Sequence, residues 1–291
     1  MFAFSRFQRL LHQALAERQP GLFPGLFSPT AAGMVPATPD LGGVTSTGTS
    51  ATFMVLRGVT RRFGRLTALD GISLDINEGE VLGICGPNGA GKSTLLAAAT
   101  GHLRMDAGEI ALDGVRLTNS PPHRFCAAGI ARLFQKPEIF ASLSVNENVR
   151  IGAMFGSRAH LAGAPEVSEI LERTELTAFA GRASADADLL TRKRIMLAAA
   201  LATNPRILFL DEPLAGLNPA EIDAFLGLLV DVRRTFGLTL VIVEHKIRAL
   251  AEISDRILVM NFGTQLKLGP PQEVLRDPEV VTIYLGKRHV A

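Results

Sequence analysis

An α/β fold with a mainly parallel core sheet is predicted on three observations. The runs "EVLGICG", "RILFLDE" and "LTLVIVEH" are apolar at successive positions, the pattern of strands covered on both faces. Segments of helical period stand between them. From about Ser144 to Asn204 the period is helical and no strong strand occurs, so a helical insert interrupts the alternation.

The elements follow in order. Residues 1–52 read as an N-terminal extension. In it Phe4, Phe7, Leu11 and Leu15 recur at helical spacing, with Arg6, Arg9 and Arg18 elsewhere around the turn. A short amphipathic helix is one reading; a frayed extension, or an upstream start ahead of Met54, is the other. Arg18 to Thr52 is rich in Pro, Gly, Ser and Thr, the composition of a linker or disordered tail. From Phe53 the pattern sharpens. "FMVLRGVTRRF" and "ISLDI" read as strands, "EVLGICG" as a buried strand entering a glycine-rich turn, and "KSTLLAAATGHL" as a helix that Gly101 stops. The Asp-Gly pair in "EIALDGVRL" signals a hairpin. Further on, Asn218 is placed as an N-cap, with Pro219 at the first helical position and Glu221 completing a capping box. Ile222, Phe225, Leu226, Leu229 and Val232 make one apolar face before Gly237.

Composition narrows the function. At 291 residues and 47% hydrophobic content the chain can bury a sizeable core. A net charge of +2 gives no bulk-electrostatic case for a nucleic-acid partner. Cys85 and Cys126 are too few for a disulfide framework and suit a reducing compartment. With no membrane-span pattern and no signal-peptide pattern, the chain reads as soluble and cytoplasmic.

The chemistry lies in "GPNGAGKST", which matches the phosphate-loop pattern in full. Gly86, Pro87, Asn88, Gly89, Ala90 and Gly91 would turn the backbone so that N–H groups face phosphate oxygens. Lys92 would reach the β- and γ-phosphates, Ser93 would give its hydroxyl to Mg²⁺, and Thr94 continues the helix whose positive end faces the ligand. Asp211 ends the strand "RILFLDE", where a carboxylate can hold Mg²⁺, and Glu212 is placed to polarise water as a general base. These motifs give a P-loop nucleotidase; ATP as the nucleotide, with Mg²⁺, is what the resemblance described next implies.

Further motifs in sequence order narrow the class. From about Phe53 to Ala291 the chain resembles an ATP-binding cassette subunit, the motor half of ABC transporters. The resemblance implies a P-loop NTPase fold of ABC type, with an antiparallel β subdomain and a helical subdomain at about 136–204. It implies that Phe63 in "RRFG" stacks on adenine, and that Gln135 in "ARLFQKP" touches Mg²⁺ and attacking water. It implies that "AGLNP", Ala215 to Pro219, crosses to a partner subunit, and that His245 in "VIVEH" contacts the γ-phosphate. It also implies membrane permease subunits as partners and a peripheral location on the cytoplasmic face of the inner membrane.

One departure stands out. The family's signature, Leu-Ser-Gly-Gly-Gln, caps ATP bound to the other subunit. Its positions fall here on Ala187, Asp188, Leu189, Leu190 and Thr191, and none of the five matches. Asp188 brings a negative charge where the family has a donor hydroxyl. An asymmetric hetero-dimer whose partner supplies an intact signature accounts for this economically. A homodimer with two weakened sites, and a tolerated variant whose backbone N–H groups still serve, are the alternatives. "LNPAE", "VEHKI", "ISDRILVMNFG" and "LRDPEVVTIYLG" are similar to ATP-binding subunits of branched-chain amino-acid importers. Related urea and amide importers and lipopolysaccharide-exporter ATPases share this tail. A catalytically weak regulatory cassette is a further alternative, so substrate and direction stay open.

Overall fold

The computed structural model describes residues 52–156, 158 and 161–285, all within the compact unit Ser50–Ala291. The expectations for the N-terminal extension fall outside the described residues.

Two sheets build the scaffold. The first is antiparallel: β1 (Thr52–Phe63), β2 (Leu66–Asn77), β4 (Ala107–Leu112) and β5 (Val115–Arg116), in the order β2-β1-β4-β5. The "ISLDI" strand is thus the second half of a longer one that begins at the turn after Phe63. Asp113 and Gly114, with φ of 49° and 75°, make the predicted hairpin turn between β4 and β5.

The second sheet has the order β10-β9-β3-β8-β7-β6. Its strands are β3 (Val81–Cys85), β6 (Ile130–Leu133), β7 (Ile207–Asp211), β8 (Thr239–Val243), β9 (Arg256–Asn261) and β10 (Thr264–Gly269). All neighbours pair in parallel except β10, which folds back antiparallel on β9. β3, β7 and β8 are buried along their whole length, as their unbroken apolar runs require.

The two-residue period of these strands divides the core. Ile207, Phe209, Val241 and Val243 pack with β1, β2, α1 (Lys92–Ala99) and Phe125 of α2 (Pro122–Ala128). Leu208, Leu210, Leu240 and Ile242 face the other way, onto a core of helices. That core includes α3 (Val145–Phe155), α4 (Val167–Arg173), α5 (Leu189–Leu201) and α6 (Pro219–Phe236). The last five elements include α7 (Ile247–Ile253), α8 (Pro271–Val274) and α9 (Pro278–Leu285). α6 begins with the capping box of Asn218 and Glu221 and ends at Gly237 in the left-handed region. α1 ends at Ala99, two residues before Gly101.

Arg206 rivets the two sheets at the entrance to β7. Its guanidinium pairs with Glu78 at 3.2 Å and Asp113 at 2.8 Å and lies 4.3 Å from the ring centroid of Phe53. Among the described residues no helix is long and apolar enough to cross a membrane.

Candidate active site

The loop after β3 is shaped by two glycines that no other residue could replace. Gly86 and Gly91 have φ of 150° and 98°, and a Cβ would overlap the Met260 carbonyl at the first and the Ala68 carbonyl at the second. At these two positions the loop is pressed against β9 and β2 with no room for a side chain. Gly91 is the N-cap of α1, no side chain caps this end, and no acid occupies the first turn. The amides of that turn stay open to an anion, with the helix dipole adding to the attraction.

Lys92, the first residue of α1, is 6% exposed. Burial lowers its pKa, opposed by Glu212, Cys85 and Asp211. Its ammonium donates to the Gly86 and Pro87 carbonyls at 2.8 and 3.0 Å. An ammonium has three donors, so one direction is left for a ligand oxygen.

Asp211 and Glu212 follow from β7. The Asp211 carboxylate divides its oxygens: Oδ1 accepts from the Ser93 hydroxyl at 3.4 Å, and Oδ2 from Arg132 at 2.8 Å. Hydroxyl and carboxylate oxygens converging beside a phosphate loop are the hard donors Mg²⁺ prefers, and this ion needs only one or two carboxylates when phosphates share it. Ser93 and Asp211 fit that role. Among the described residues no group of three or more His, Cys, Asp and Glu gathers to bind a metal by itself.

Glu212 sits at φ 48°, an uncommon conformation for a side-chain-bearing residue, costing of order 1–3 kcal/mol. Its N–H donates to the Val243 carbonyl, which fixes the residue against β8. Both carboxylate oxygens are held: Oε2 accepts from Gln135 Nε2 at 2.7 Å, and Oε1 lies 2.7 Å from His245 Nε2. Residues 77 positions and 33 positions away in sequence thus meet on one carboxylate. Phe63 lies apart from this cluster and 46% exposed, at the turn leaving β1, with the Arg61 guanidinium 4.7 Å from its ring centroid. Phe63, Asn88 to Thr94, Glu212 and His245 nevertheless line one cavity of about 430 Å³, a size that suits a nucleotide.

Three residues of this region were given no role of their own by the sequence motifs that contain them. Arg132 is the buried partner of Asp211. Glu244 is 3% exposed, and its carboxylate accepts from the Leu214 N–H at 2.7 Å and the His245 N–H at 3.2 Å. It ties the loop after β7 to the loop carrying His245, and burial pushes its pKa up. Phe262 enters the cavity wall from the turn between β9 and β10. A glutamate embedded in "LVIVEH" was a visible signal for the second; the other two depend on strand register and turn placement.

The stretch Ala187 to Thr191 has a local logic of its own. Asp188 is the N-cap of α5, and its carboxylate accepts from the Thr191 N–H at 2.7 Å. Hydrogen bonds from the Thr191 backbone and then its side chain hold the Asp188 pKa below the ordinary carboxylate value. Arg192 folds back to donate to the Ala187 and Ala185 carbonyls. The Asp188 charge is thus directed at its own helix.

A phosphate loop opening a helix, a magnesium-type oxygen pair and a restrained carboxylate define a nucleotide-hydrolysing P-loop cassette. The family comparisons carry this one step further. The family described as ABC transporter matches residues 69–215. The chain is 34% identical over 253 residues to the high-affinity branched-chain amino acid transport ATP-binding protein BraF of Pseudomonas aeruginosa, spanning 82% of this chain and 99% of that one. It is 31% identical to LivG of Escherichia coli strain K12 over the same shares. Among solved structures, the ADP conformation of MJ1267, an ATP-binding cassette of an ABC transporter, superposes with a TM-score of 0.74 at 30% identity, over 82% of this chain and all of that one. The chain belongs to the ABC transporter family, as one of its ATP-binding cassettes.

Proposed function

We propose that this cassette binds and hydrolyses ATP to drive uptake of branched-chain or related amino acids through membrane permease subunits. The names of BraF and LivG support the substrate class. The observation that carries the catalytic assignment is the double restraint on Glu212 by Gln135 and His245.

In this mechanism the open amides of α1 and the Lys92 ammonium hold the phosphates. Phe63 offers a ring face to the base. Ser93, Asp211 and Gln135 would hold Mg²⁺, which supplies charge neutralisation at the phosphate oxygens when bound. Glu212 takes a proton from water as the water oxygen bonds to the γ-phosphorus. The bond between that phosphorus and the β–γ bridging oxygen breaks, leaving ADP and inorganic phosphate. Gln135 and His245 keep the carboxylate aimed throughout. The cassette works on the cytoplasmic face of the inner membrane, docked peripherally.

We also propose a hetero-dimer. Asp188 spends its carboxylate on Thr191, and the loop offers no glycine backbone to a second nucleotide. The partner cassette therefore supplies the intact signature to this chain's ATP, and this chain caps the partner's ATP weakly. The test is steady-state Mg-ATP hydrolysis by the chain alone and mixed with candidate partner cassettes. Hydrolysis is expected only in the mixture, and Glu212→Gln in this chain is expected to lower it by about 10²–10⁴-fold while ATP still binds. Brisk hydrolysis by the chain alone, with self-dimerisation, would sink the asymmetric assignment.

A further inference from the structure

The turn between β9 and β10 carries a residue that folding does not account for. Asn261 and Thr264 pair across the strand ends, so Phe262 and Gly263 form a two-residue hairpin loop. Their φ values of 45° and 78° are both positive, the pattern of a type I′ turn. That turn favours Asn, Asp or Gly at its first position, because a bulky side chain is strained there. Phe262 is also 84% exposed, the most exposed large hydrophobic side chain among the described residues. It therefore carries backbone strain and solvated apolar surface together.

The turn is nevertheless held firmly. The Gly263 N–H donates to the Ala90 carbonyl of the phosphate loop at 3.0 Å, and the Gly263 carbonyl accepts from the Asp70 N–H at 2.9 Å. These bonds stitch the turn to the loop that grips the phosphates and to β2 beside it. Phe262 lines the same cavity as Phe63 and Leu66 of the β1–β2 turn. All three are exposed, and they are the large apolar side chains of a cavity that the phosphate loop also lines.

We propose that Phe262 is a second base-binding residue, which closes on the nucleobase together with Phe63 and makes the site selective for purine nucleoside triphosphates. This rests on the nucleotide-binding assignment of the cavity and adds a specificity determinant to it. The Arg61 guanidinium already lies over the Phe63 ring, so the free face of that ring is the one available to a base. Thr67 and Ala68, which line the same cavity, present one side-chain hydroxyl between them for reading base edges. Selection therefore acts through stacking area, which is larger for purines, and distinguishes adenine from guanine weakly.

The experiment displaces a fluorescent ribose-labelled ATP from the full chain with ATP, GTP, CTP and UTP, in a Glu212→Gln background that blocks turnover. ATP and GTP are expected to compete within a few-fold of each other and each at least tenfold better than CTP or UTP. Phe262→Asn, which suits the turn, is expected to weaken ATP and GTP about tenfold and to leave the pyrimidine nucleotides nearly unchanged. Phe262→Tyr is expected to restore the parent order. An unchanged ATP affinity in a folded Phe262→Asn chain, or equal losses for all four nucleotides, overturns the proposal. Lys92→Ala separates this from the site assignment itself: if the parent binds the labelled ATP no better than Lys92→Ala does, the nucleotide site as a whole is misplaced.

Discussion

Asp211 keeps one oxygen for Ser93 and gives the other to Arg132, and the second bond explains how a carboxylate is held at the end of a buried strand. The two side chains are 8% and 9% exposed, and the guanidinium also lies 4.7 Å from the Phe134 ring centroid. Removing one partner of a buried pair strands the other charge, which costs about 3–5 kcal/mol, whereas replacing both is often neutral. Arg132→Met is therefore expected to lower the free energy of unfolding by about 3 kcal/mol. Arg132→Met combined with Asp211→Asn should recover most of that loss. Urea unfolding of the three chains measures it, and a single-variant cost under about 1 kcal/mol would show that Asp211 does not need the pair. The pair was not legible in the sequence, because Arg132 and Asp211 lie 79 residues apart and meet only through the parallel register of β6 and β7. Lys92, Ser93, Asp211 and Glu212 were legible because a phosphate loop and a strand-end acid are local patterns. The position of Phe262 depends on a turn that no short motif marks.

At the scale of elements, α3 and α5 approach so closely that a glycine is required. Gly152 is buried in α3, and a Cβ there would overlap the Ala199 carbonyl of α5. In an exposed helix Gly→Ala stabilises by about 1 kcal/mol. Gly152→Ala is expected to reverse that sign and cost about 1–3 kcal/mol, because backbone cannot yield as a side-chain tip can. A rise in Tm for this variant would refute the close packing. The start of α5 makes a different prediction. Asp188→Ala is expected to cost about 1 kcal/mol at pH 7 through the lost cap. Because its folded pKa is lowered, the carboxylate's contribution is fully present above its unfolded value of about 3.8 and fades as pH falls through the folded value. The gap between parent and Asp188→Ala should thus hold from pH 7 to about 4 and close below, in denaturant melts at each pH. Element boundaries follow the same division between local and distant causes. The helix opened by Asn218, Pro219 and Glu221 lies where its caps put it. By contrast, β6 is only "IARL", partly buried, and becomes a strand because β7 offers it partners, with the Arg206 and Ile207 N–H groups donating to the Gly129 carbonyl just ahead of it.

For the molecule as a whole, the prediction with most reach is the dependence of hydrolysis on a second cassette. It separates a chain that is half of an asymmetric pair from one that serves itself, and it turns on five residues whose local structure is a capped helix start. The parallel sheet, the helical stretch between β6 and β7 and the family were legible from strands and motifs taken together, since apolar runs of this length can be buried only between layers. The joining of the two sheets was not. Arg206 contributes to that join, with Glu78, Asp113 and Phe53 each drawn from the antiparallel sheet or the turns that border it, as does Arg256 of β9, which donates to the Asp75 carbonyl of β2. The consequence is positional. Arg206 enters β7 and Asp211 ends it, so these contacts set the start of the strand that carries the carboxylates of the site relative to the antiparallel sheet.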